Sequence, residues 1–343
     1  MANANLKATA LEPSRLQLAN LPLRKKILRL VPVYGIPILT ILLILVFSIV
    51  LPETFPTWLN FHSILSDKGV IAILALAATL PMMAGRIDLT VGYGIVLWHV
   101  LAISLQTHFG LPWWAAVGIV IALAGTVGAM NGILVEIAKI DAFIATLGTG
   151  TLLYAAALWY TGGRQVLGHL PGAFFAINDT SILGVPIAAF YVLALTIALW
   201  LFAERLPIGR QLYAIGANQK AAELSGIPVR SRVILVFVLS GVLTGFAGVL
   251  LASKLRIGQA SVGLEFLLPA LVAAFLGSTT IRPGRVNFWG TIWGVAVLSV
   301  GIAGIQQFGA DFYVEPLFNG LTLLVSILLA GYGQSRQSRA SKS

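Results

Sequence analysis

The chain contains 343 residues, of which 58% are hydrophobic and 10% are charged, whereas a water-soluble domain carries about 25% charged residues. This composition excludes an ordinary soluble protein, and the absence of cysteine excludes disulfides, thiolate metal ligands and a thiol nucleophile. A net charge of +10 would suggest nucleic-acid binding in a soluble protein, so the positions of the charges decide what it means.

The N-terminal residues 1–29 are polar and end in a basic group, after which residues 30–51 are almost entirely apolar. A secretory signal has a shorter apolar core and a small-residue cleavage site. We therefore predict a basic cytoplasmic tail over residues 1–29, followed by an uncleaved first membrane span.

Long apolar runs alternate with short polar breaks along the rest of the chain. Hydrocarbon forces such runs into helices, because a helix satisfies its own backbone groups. We predict an all-α polytopic membrane protein in contact with lipid. Two of its segments, one containing Pro81 and one containing Pro269, are short enough for re-entrant half-helices. The ten predicted spans are 31–51, 69–85, 89–107, 112–136, 142–161, 186–203, 232–252, 266–278, 287–306 and 312–331.

Glycines four residues apart, such as Gly128 with Gly132 and Gly241 with Gly245, are typical of closely packed membrane helices. We find no clear internal repeat or linker. The simplest organisation is a single transmembrane domain over residues 30–332 with a short cytoplasmic tail over 333–343.

Lysine and arginine are unevenly divided between the loops of this ten-span arrangement. One side carries 18 of them and the other carries 4, while acidic residues divide equally, so the two sides have charges of +12 and −2. Basic loops stay on the cytoplasmic side. Both termini are therefore predicted to be cytoplasmic, and nucleic acid is not needed to explain the net charge.

The longest predicted cytoplasmic loop covers residues 204–231. Within it, Asn218 can cap a short helix that runs to Leu224, because its side chain accepts a hydrogen bond from the first turn. Gly226 is placed to end that helix, with Pro228 beyond it. A helix that lies on a partner's surface and an interfacial turn without a partner both fit this pattern.

The stretch GRQLYAIGANQKAAELSGI (residues 209–227) resembles a loop of the ribose-type permease subunits of ATP-binding-cassette importers. In that family the Ala-Ala and Gly-Ile positions belong to a coupling helix that docks on the ATPase. The resemblance implies this coupling role for Asn218, Ala221, Ala222, Glu223, Gly226 and Ile227.

Further stretches extend the resemblance over most of residues 60–330. They are GRIDLTVG (85–92), NGIL (131–134), FIATLG (143–148), GLEF (263–266) and GST (277–279). The chain departs from the family where Arg86 replaces a second glycine and where the stretch from Arg282 to Arg285 replaces small residues. These departures indicate a divergent substrate or sub-branch.

The resemblance implies a permease subunit that imports a sugar-class solute, a ribose-like monosaccharide or a polyol, in a type II-like arrangement of about ten helices. It implies a cytoplasmic ABC ATPase, a periplasmic substrate-binding protein and a second permease subunit, the same chain or a relative, in the bacterial inner membrane. The chain contains no phosphate-binding Gly-x-x-x-x-Gly-Lys-Ser/Thr loop. We therefore expect a translocation subunit without enzymatic activity, cofactor or metal.

Polar residues inside or beside the spans are candidates for a gate or pathway, because such groups usually face the bundle interior or a water-filled cavity. For each of them a structural role is the alternative: a helix cap for Asp88, with Arg86 as a candidate ion-pair partner, and packing or hydrogen bonds between helices for the others. The candidates are Arg86, Asp88, His99, Asn131 and Thr146.

Two other classes of function compete with an ATP-driven importer. A secondary transporter or channel often places titratable groups or broken helices at the membrane midplane, and His99 and the segment around Pro81 fit that description. An intramembrane enzyme is disfavoured, because the chain contains neither a His-Glu-x-x-His metal helix nor a Gly-x-Ser-x-Gly elbow.

Overall fold

A computed structural model of the chain describes residues 23–311 and 313–325. The predicted tails lie outside this part of the chain, apart from residues 23–29, which already belong to the first helix. Helices account for most of the structure, and two short strands form an antiparallel hairpin in which Ser181 pairs with Pro186. The elements are α1 (Leu23–Val50), α2 (Trp58–Asp67), α3 (Gly69–Met83), α4 (Thr90–Thr107), α5 (Trp113–Glu136), α6 (Ala142–Thr161), α7 (Gly172–Asp179), β1 (Ser181–Ile182), β2 (Val185–Pro186), α8 (Ile187–Arg205), α9 (Pro207–Ala217), α10 (Gln219–Leu224), α11 (Val229–Leu255), α12 (Leu267–Gly277), α13 (Phe288–Gln307) and α14 (Val314–Val325).

Seven of these helices are long and apolar enough to cross a membrane, namely α1, α4, α5, α6, α8, α11 and α13. They coincide with seven of the ten predicted spans, which confirms the prediction of an all-α polytopic membrane protein. The other three segments are shorter: α3 follows α2 with a bend of 41°, so that the pair makes an eighth candidate span, and α12 and α14 have fewer than 18 residues. Residues 312 and 326–331 of the last predicted span lie outside the described residues.

One end of the helix bundle collects loops that were predicted to be cytoplasmic, and we call it the inner end. There Arg86 pairs with Glu136 across 2.9 Å, and the backbone N–H of Ile281 donates to the carbonyl of Val33. Each contact joins two segments that are far apart in the sequence but lie on the same predicted side.

The opposite, outer end collects the remaining loops. Lys254 Nζ lies 2.6 Å from Asp67 Oδ1, and Lys68 Nζ lies 3.6 Å from Glu315 Oε1. The short helix α3 begins next to Lys68 at this outer end. It finishes at Met83 on the inner end, so α3 connects the two ends of the bundle in spite of its 15 residues.

The core is built around α3 and α11. Almost every residue of α3 is buried, and α11 packs along α5 through close contacts at glycines. A Cβ atom at Gly128 would lie 2.2 Å from the carbonyl oxygen of Phe237, and one at Gly241 would lie 2.3 Å from that of Ala124. Any side chain at these two positions would push the helices apart, so the predicted role of these glycines in helix packing is confirmed.

Candidate functional site

The loop between α8 and α11 folds into two helices, α9 and α10, separated by Asn218. The extended backbone of Asn218 ends α9, and its side-chain Oδ1 accepts a hydrogen bond of 3.0 Å from the N–H of Ala221. This bond satisfies an N–H of the first turn of α10 that has no partner within the helix. The predicted cap is therefore confirmed.

The end of α10 is fixed by two backbone hydrogen bonds. The N–H of Gly226 donates to the carbonyl of Glu223 at 3.0 Å, and the N–H of Ile227 donates to that of Ala222 at 3.1 Å. Together these bonds form a Schellman motif, which requires a left-handed residue after the helix. Gly226 has φ = +78°, so its predicted role as the helix terminator is confirmed.

The two faces of α10 differ in exposure. Ala222 is buried against the bundle, whereas Ala221 and Glu223 are exposed and Leu224 retains 81% of its accessible surface. A capped helix with an exposed leucine offers a preformed surface for a partner protein.

Helix α9 holds this surface against the inner end of the bundle. Its residues Leu212 and Ile215 are fully buried. A Cβ atom at Gly216 would lie 2.4 Å from the carbonyl oxygen of Met83, so α9 packs directly on the end of α3. Motion of α9 is thereby coupled by contact to the central helix.

Tyr213 of α9 joins the loop between α12 and α13. Its hydroxyl donates to the carbonyl of Val286 at 3.0 Å, and the Arg285 guanidinium lies 3.4 Å from the centre of its ring. Burial is the main cause that raises the pKa of the Tyr213 hydroxyl, and Arg285 acts in the opposite direction. The hydroxyl therefore stays protonated and keeps its donor role at neutral pH.

The same loop is tied to the end of α8. Glu204 forms ion pairs with Arg282 and with Arg285, the latter across 3.5 Å. Arg282 and Arg285, which lie in one of the stretches where this chain departs from the family pattern, thus bind the end of α8 from which α9 follows.

Arg86 lies between α3 and α4 and makes two contacts with its guanidinium. It donates to Glu136 Oε1 at 2.9 Å and to Gln219 Oε1 at 2.7 Å. The Glu136 side chain is only 1% exposed, and its other oxygen lies 3.6 Å from Lys139 Nζ. Arg86 therefore links the end of α5 to the first residue of α10. Its partner is Glu136, and the suggested pair with Asp88 does not form.

Asp88 is buried in a network of side chains. Its Oδ1 accepts from both the N–H and the hydroxyl of Thr90, and its Oδ2 accepts from Ser240 at 2.8 Å. Asn131 donates to the Thr90 hydroxyl at 3.4 Å and accepts from Thr149 at 2.7 Å. The network connects α4 to α5, α6 and α11, so Asp88 both accepts from the first N–H of α4 and joins helices, while Leu89 occupies the N-cap position.

Thr146 extends the same region. Its hydroxyl accepts from the N–H of Leu89 at 3.1 Å and donates to the carbonyl of Ala142 at 2.7 Å. The structure thus brings together four of the five pathway candidates. Sequence reasoning missed Ser240, whose only signal is a hydroxyl in an apolar run immediately before Gly241.

His99 is the fifth candidate and lies apart from that group. Its Nε2 accepts from the backbone N–H of Gln259 at 3.2 Å, so the proton is assigned to Nδ1, which faces the carbonyl of Ile95 at 3.1 Å. The ring is fully buried. His99 therefore fastens the segment after α11 to the middle of α4.

A groove of about 950 Å³ lies between α1, α2, α8 and α13. Its lining is largely apolar and includes Trp289 and Trp293. This groove offers few polar groups to a hydrophilic solute. Among the described residues, no group of three or more His, Cys, Asp or Glu side chains is arranged to hold a metal ion.

Comparison with known proteins gives a family and several relatives. The family described as "Branched-chain amino acid transport system / permease component" matches residues 60–330. The ribose import permease protein RbsC of Haemophilus influenzae is 31% identical over 85% of this chain and 91% of its own length. The D-allose transport system permease protein AlsC of Escherichia coli K12 is 26% identical over 86% of this chain and 90% of its own length.

A third relative, the autoinducer 2 import system permease protein LsrD of an Enterobacter species, is 31% identical over 84% of this chain and 91% of its own length. The comparison with solved structures gives no match. The family match over residues 60–330 covers the helices and loops that carry the site described above.

Proposed function

Because the chain belongs to the family of branched-chain amino acid transport system permease components, we propose that it is the membrane-spanning subunit of an ABC importer for a sugar-class solute. The relatives named for ribose, D-allose and autoinducer 2 support this substrate class. A ribose-like monosaccharide or a polyol is the proposed cargo.

The observation that carries the proposal is the geometry of α10. A transport subunit without its own phosphate-binding loop must receive the energy of ATP hydrolysis through contact with a separate ATPase. Helix α10 is capped at both ends, exposed on one face and anchored on the other. Such an element can be pushed as a rigid body, which is what a coupling helix requires.

The proposed coupling residues divide into two groups. Asn218 and Gly226 define the ends of α10, and Ala222 with Ile227 packs its inner side against the bundle. Ala221 and Glu223, together with the exposed Leu224, form the surface that the ATPase would contact. The proposed contact surface is therefore narrower than the six residues of the motif.

The proposed assembly contains two permease subunits, either two copies of this chain or this chain and a relative. A cytoplasmic ATPase would bind the inner end, and a periplasmic binding protein would deliver the solute at the outer end. The proposed location is the bacterial inner membrane with both termini cytoplasmic, and the uneven distribution of lysine and arginine supports this orientation. A single transmembrane domain over residues 30–332, type II-like in arrangement, completes the proposal.

Alternating access is the proposed mechanism. The solute enters a cavity between the permease subunits from the binding protein, and movement of α10 on the ATPase changes which end is open. Arg86 reaches Gln219 of α10, and Asp88, Asn131 and Thr146 lie beside it in the polar contacts that join α4 to α5, α6 and α11. We propose that these residues form a hinge region near the inner gate and not a solute-binding site, because their polar atoms already bond to protein groups.

Reconstitution tests this proposal against a secondary transporter or channel. Liposomes that contain the permease, its ATPase and an external binding protein should take up labelled ribose or D-allose only when the ATPase can hydrolyse ATP. Vesicles with a hydrolysis-deficient ATPase serve as the control. Uptake that a solute or ion gradient drives without ATPase would contradict the proposal and favour the stand-alone transporter.

A further inference from the structure

The segment between α11 and α12 runs down the side of α4 as irregular backbone. A Cβ atom at Gly258 would lie 3.2 Å from Val100 Cα, and one at Gly263 would lie 3.4 Å from Val96 Cα. A short 3-10 helix, Leu264–Phe266, then leads into α12. The segment begins at the outer end, where Arg256 pairs with Asp179.

The depth of this segment follows from its contacts with α4. Where α12 begins, a Cβ atom at Gly92 would lie 2.8 Å from Leu267 Cα. Eight residues of helix separate Val100 from Gly92, which corresponds to a descent of about 12 Å. The 3-10 helix therefore lies between the levels of Val96 and Gly92, within the span α4 that begins at Thr90. Helix α12 therefore crosses only the inner half of the membrane, and the irregular segment before it occupies the outer half.

Irregular backbone at this depth is tolerated only where protein covers it or where it lines a water-filled cavity. The side chains of Ser261 and Glu265 are exposed on the surface of this chain. One carboxylate oxygen of Glu265 accepts from the N–H of Gly263 at 2.9 Å, a bond within the same turn. Because a carboxylate inside the bilayer faces a bundle interior or a water-filled cavity, this surface does not face lipid.

We propose that Ser261 and Glu265 line the translocation path and that the Glu265 carboxylate accepts hydrogen bonds from hydroxyl groups of the solute. The solute class rests on the proposed function, an uncharged polyhydroxylated molecule. A carboxylate suits such a ligand, since it is an acceptor that takes hydrogen bonds from two adjacent hydroxyls and charge strengthens each bond. His99 holds the segment in place through Gln259 and does not itself contact the solute.

Cysteine accessibility tests the water-filled path directly, because the natural chain contains no cysteine and every single variant then carries one thiol. Ser261→Cys and Glu265→Cys should react with a charged, membrane-impermeant methanethiosulfonate at least about tenfold faster than Ile41→Cys. Ile41 is the matched control, exposed on the apolar face of α1. Equal rates at the three positions would overturn the proposal that the segment lines a water-filled path. They would mean that lipid or a second copy of the chain covers the segment.

A transport assay tests the carboxylate. Glu265→Gln should raise the KM for labelled ribose or D-allose in the reconstituted importer by about tenfold, as expected for a lost hydrogen bond to a charged group, at an equal amount of protein. Glu53→Gln, an exposed glutamate in the loop between α1 and α2, should leave KM unchanged. An unchanged KM in Glu265→Gln would overturn the binding role. If the wild-type importer takes up neither sugar with ATP, the proposed function fails, and the thiol reaction still decides the path.

Discussion

The Arg86 guanidinium donates a hydrogen bond of 2.7 Å to Gln219 Oε1 and thereby joins the first residue of α10 to the loop that precedes α4. Two residues after Arg86, Asp88 anchors the network that runs through Thr90 and Ser240. A displacement of α10 therefore reaches the start of α4 through one side chain.

Replacing Arg86 should weaken both stability and coupling. Arg86→Ala leaves the buried Glu136 with Lys139 as its nearest cation at 3.6 Å. Removing one partner of a buried ion pair costs about 3–5 kcal/mol, and the partial exposure of Arg86 places the expected loss at the lower end of this range. We expect a lower unfolding temperature and less solute transported per ATP hydrolysed.

The control for this experiment is Arg164→Ala, an exposed arginine at the outer end. The double variant Arg86→Ala with Glu136→Gln removes the uncompensated charge, so it should recover stability while transport per ATP stays low. If the double variant also recovers full coupling, Arg86 acts only on stability and does not transmit motion from α10.

Substitutions at Gly226 should act through backbone conformation. Gly226 has φ = +78°, and a Cβ atom there would meet no other atom within 4 Å. The cost therefore comes from the left-handed backbone, about 1–2 kcal/mol for most residues, and asparagine tolerates this region while β-branched residues do not. Gly226→Val should lower ATPase stimulation and uptake, and Gly226→Asn should stay close to wild type.

Gly118 provides the matched comparison, because a Cβ atom there also meets open space but its φ is not in the left-handed region. Gly118→Val should insert into the membrane and transport normally. If Gly226→Asn is as defective as Gly226→Val, the defect would arise from the side chain at the ATPase contact and not from the end of α10.

The N-terminal cap gives an independent test of the same helix. Asn218→Ala removes the acceptor for the N–H of Ala221 and should cost about 1 kcal/mol of helix stability. Asn218→Asp keeps the acceptor. We expect faster proteolysis between α9 and α11 and weaker ATPase binding in the alanine variant alone, measured on the purified permease. Equal behaviour of both variants would separate the cap from the coupling function.

The features that were predictable from sequence are the local ones. Asn218, Gly226 and Pro228 act within one turn of α10, so their spacing sufficed to predict the helix and its ends. The partner of Arg86 was not predictable, because Glu136 and Gln219 lie 50 and 133 residues away. The suggested pair with Asp88 relied on proximity in sequence.

The same distinction explains the membrane spans. Seven long apolar helices satisfy their own backbone and depend little on tertiary structure, so hydropathy located six of them within a few residues. The first, α1, begins earlier than predicted, at Leu23. The short segment 266–278 was correctly singled out by its length and Pro269. Its outer half was missed, because the irregular backbone between Arg256 and Leu267 depends on contacts with α4 and on His99, which no local pattern encodes.

The buried network at Asp88 permits a test that separates a structural role from a gating role. Asp88→Ala leaves the Thr90 N–H and the Ser240 hydroxyl without their acceptor. Each buried unsatisfied group costs about 1–3 kcal/mol, so thermal unfolding in detergent should occur at a clearly lower temperature.

Asp88→Asn retains one acceptor oxygen, and the Ser240 hydroxyl can turn to accept from the new amide. We therefore expect Asp88→Asn to recover most of the stability, and its KM and turnover should match wild type if Asp88 is structural. A folded Asp88→Asn protein with a reduced turnover and an unchanged KM would instead assign the carboxylate charge to the gate, because solute binding would be intact while the change of access would be slowed.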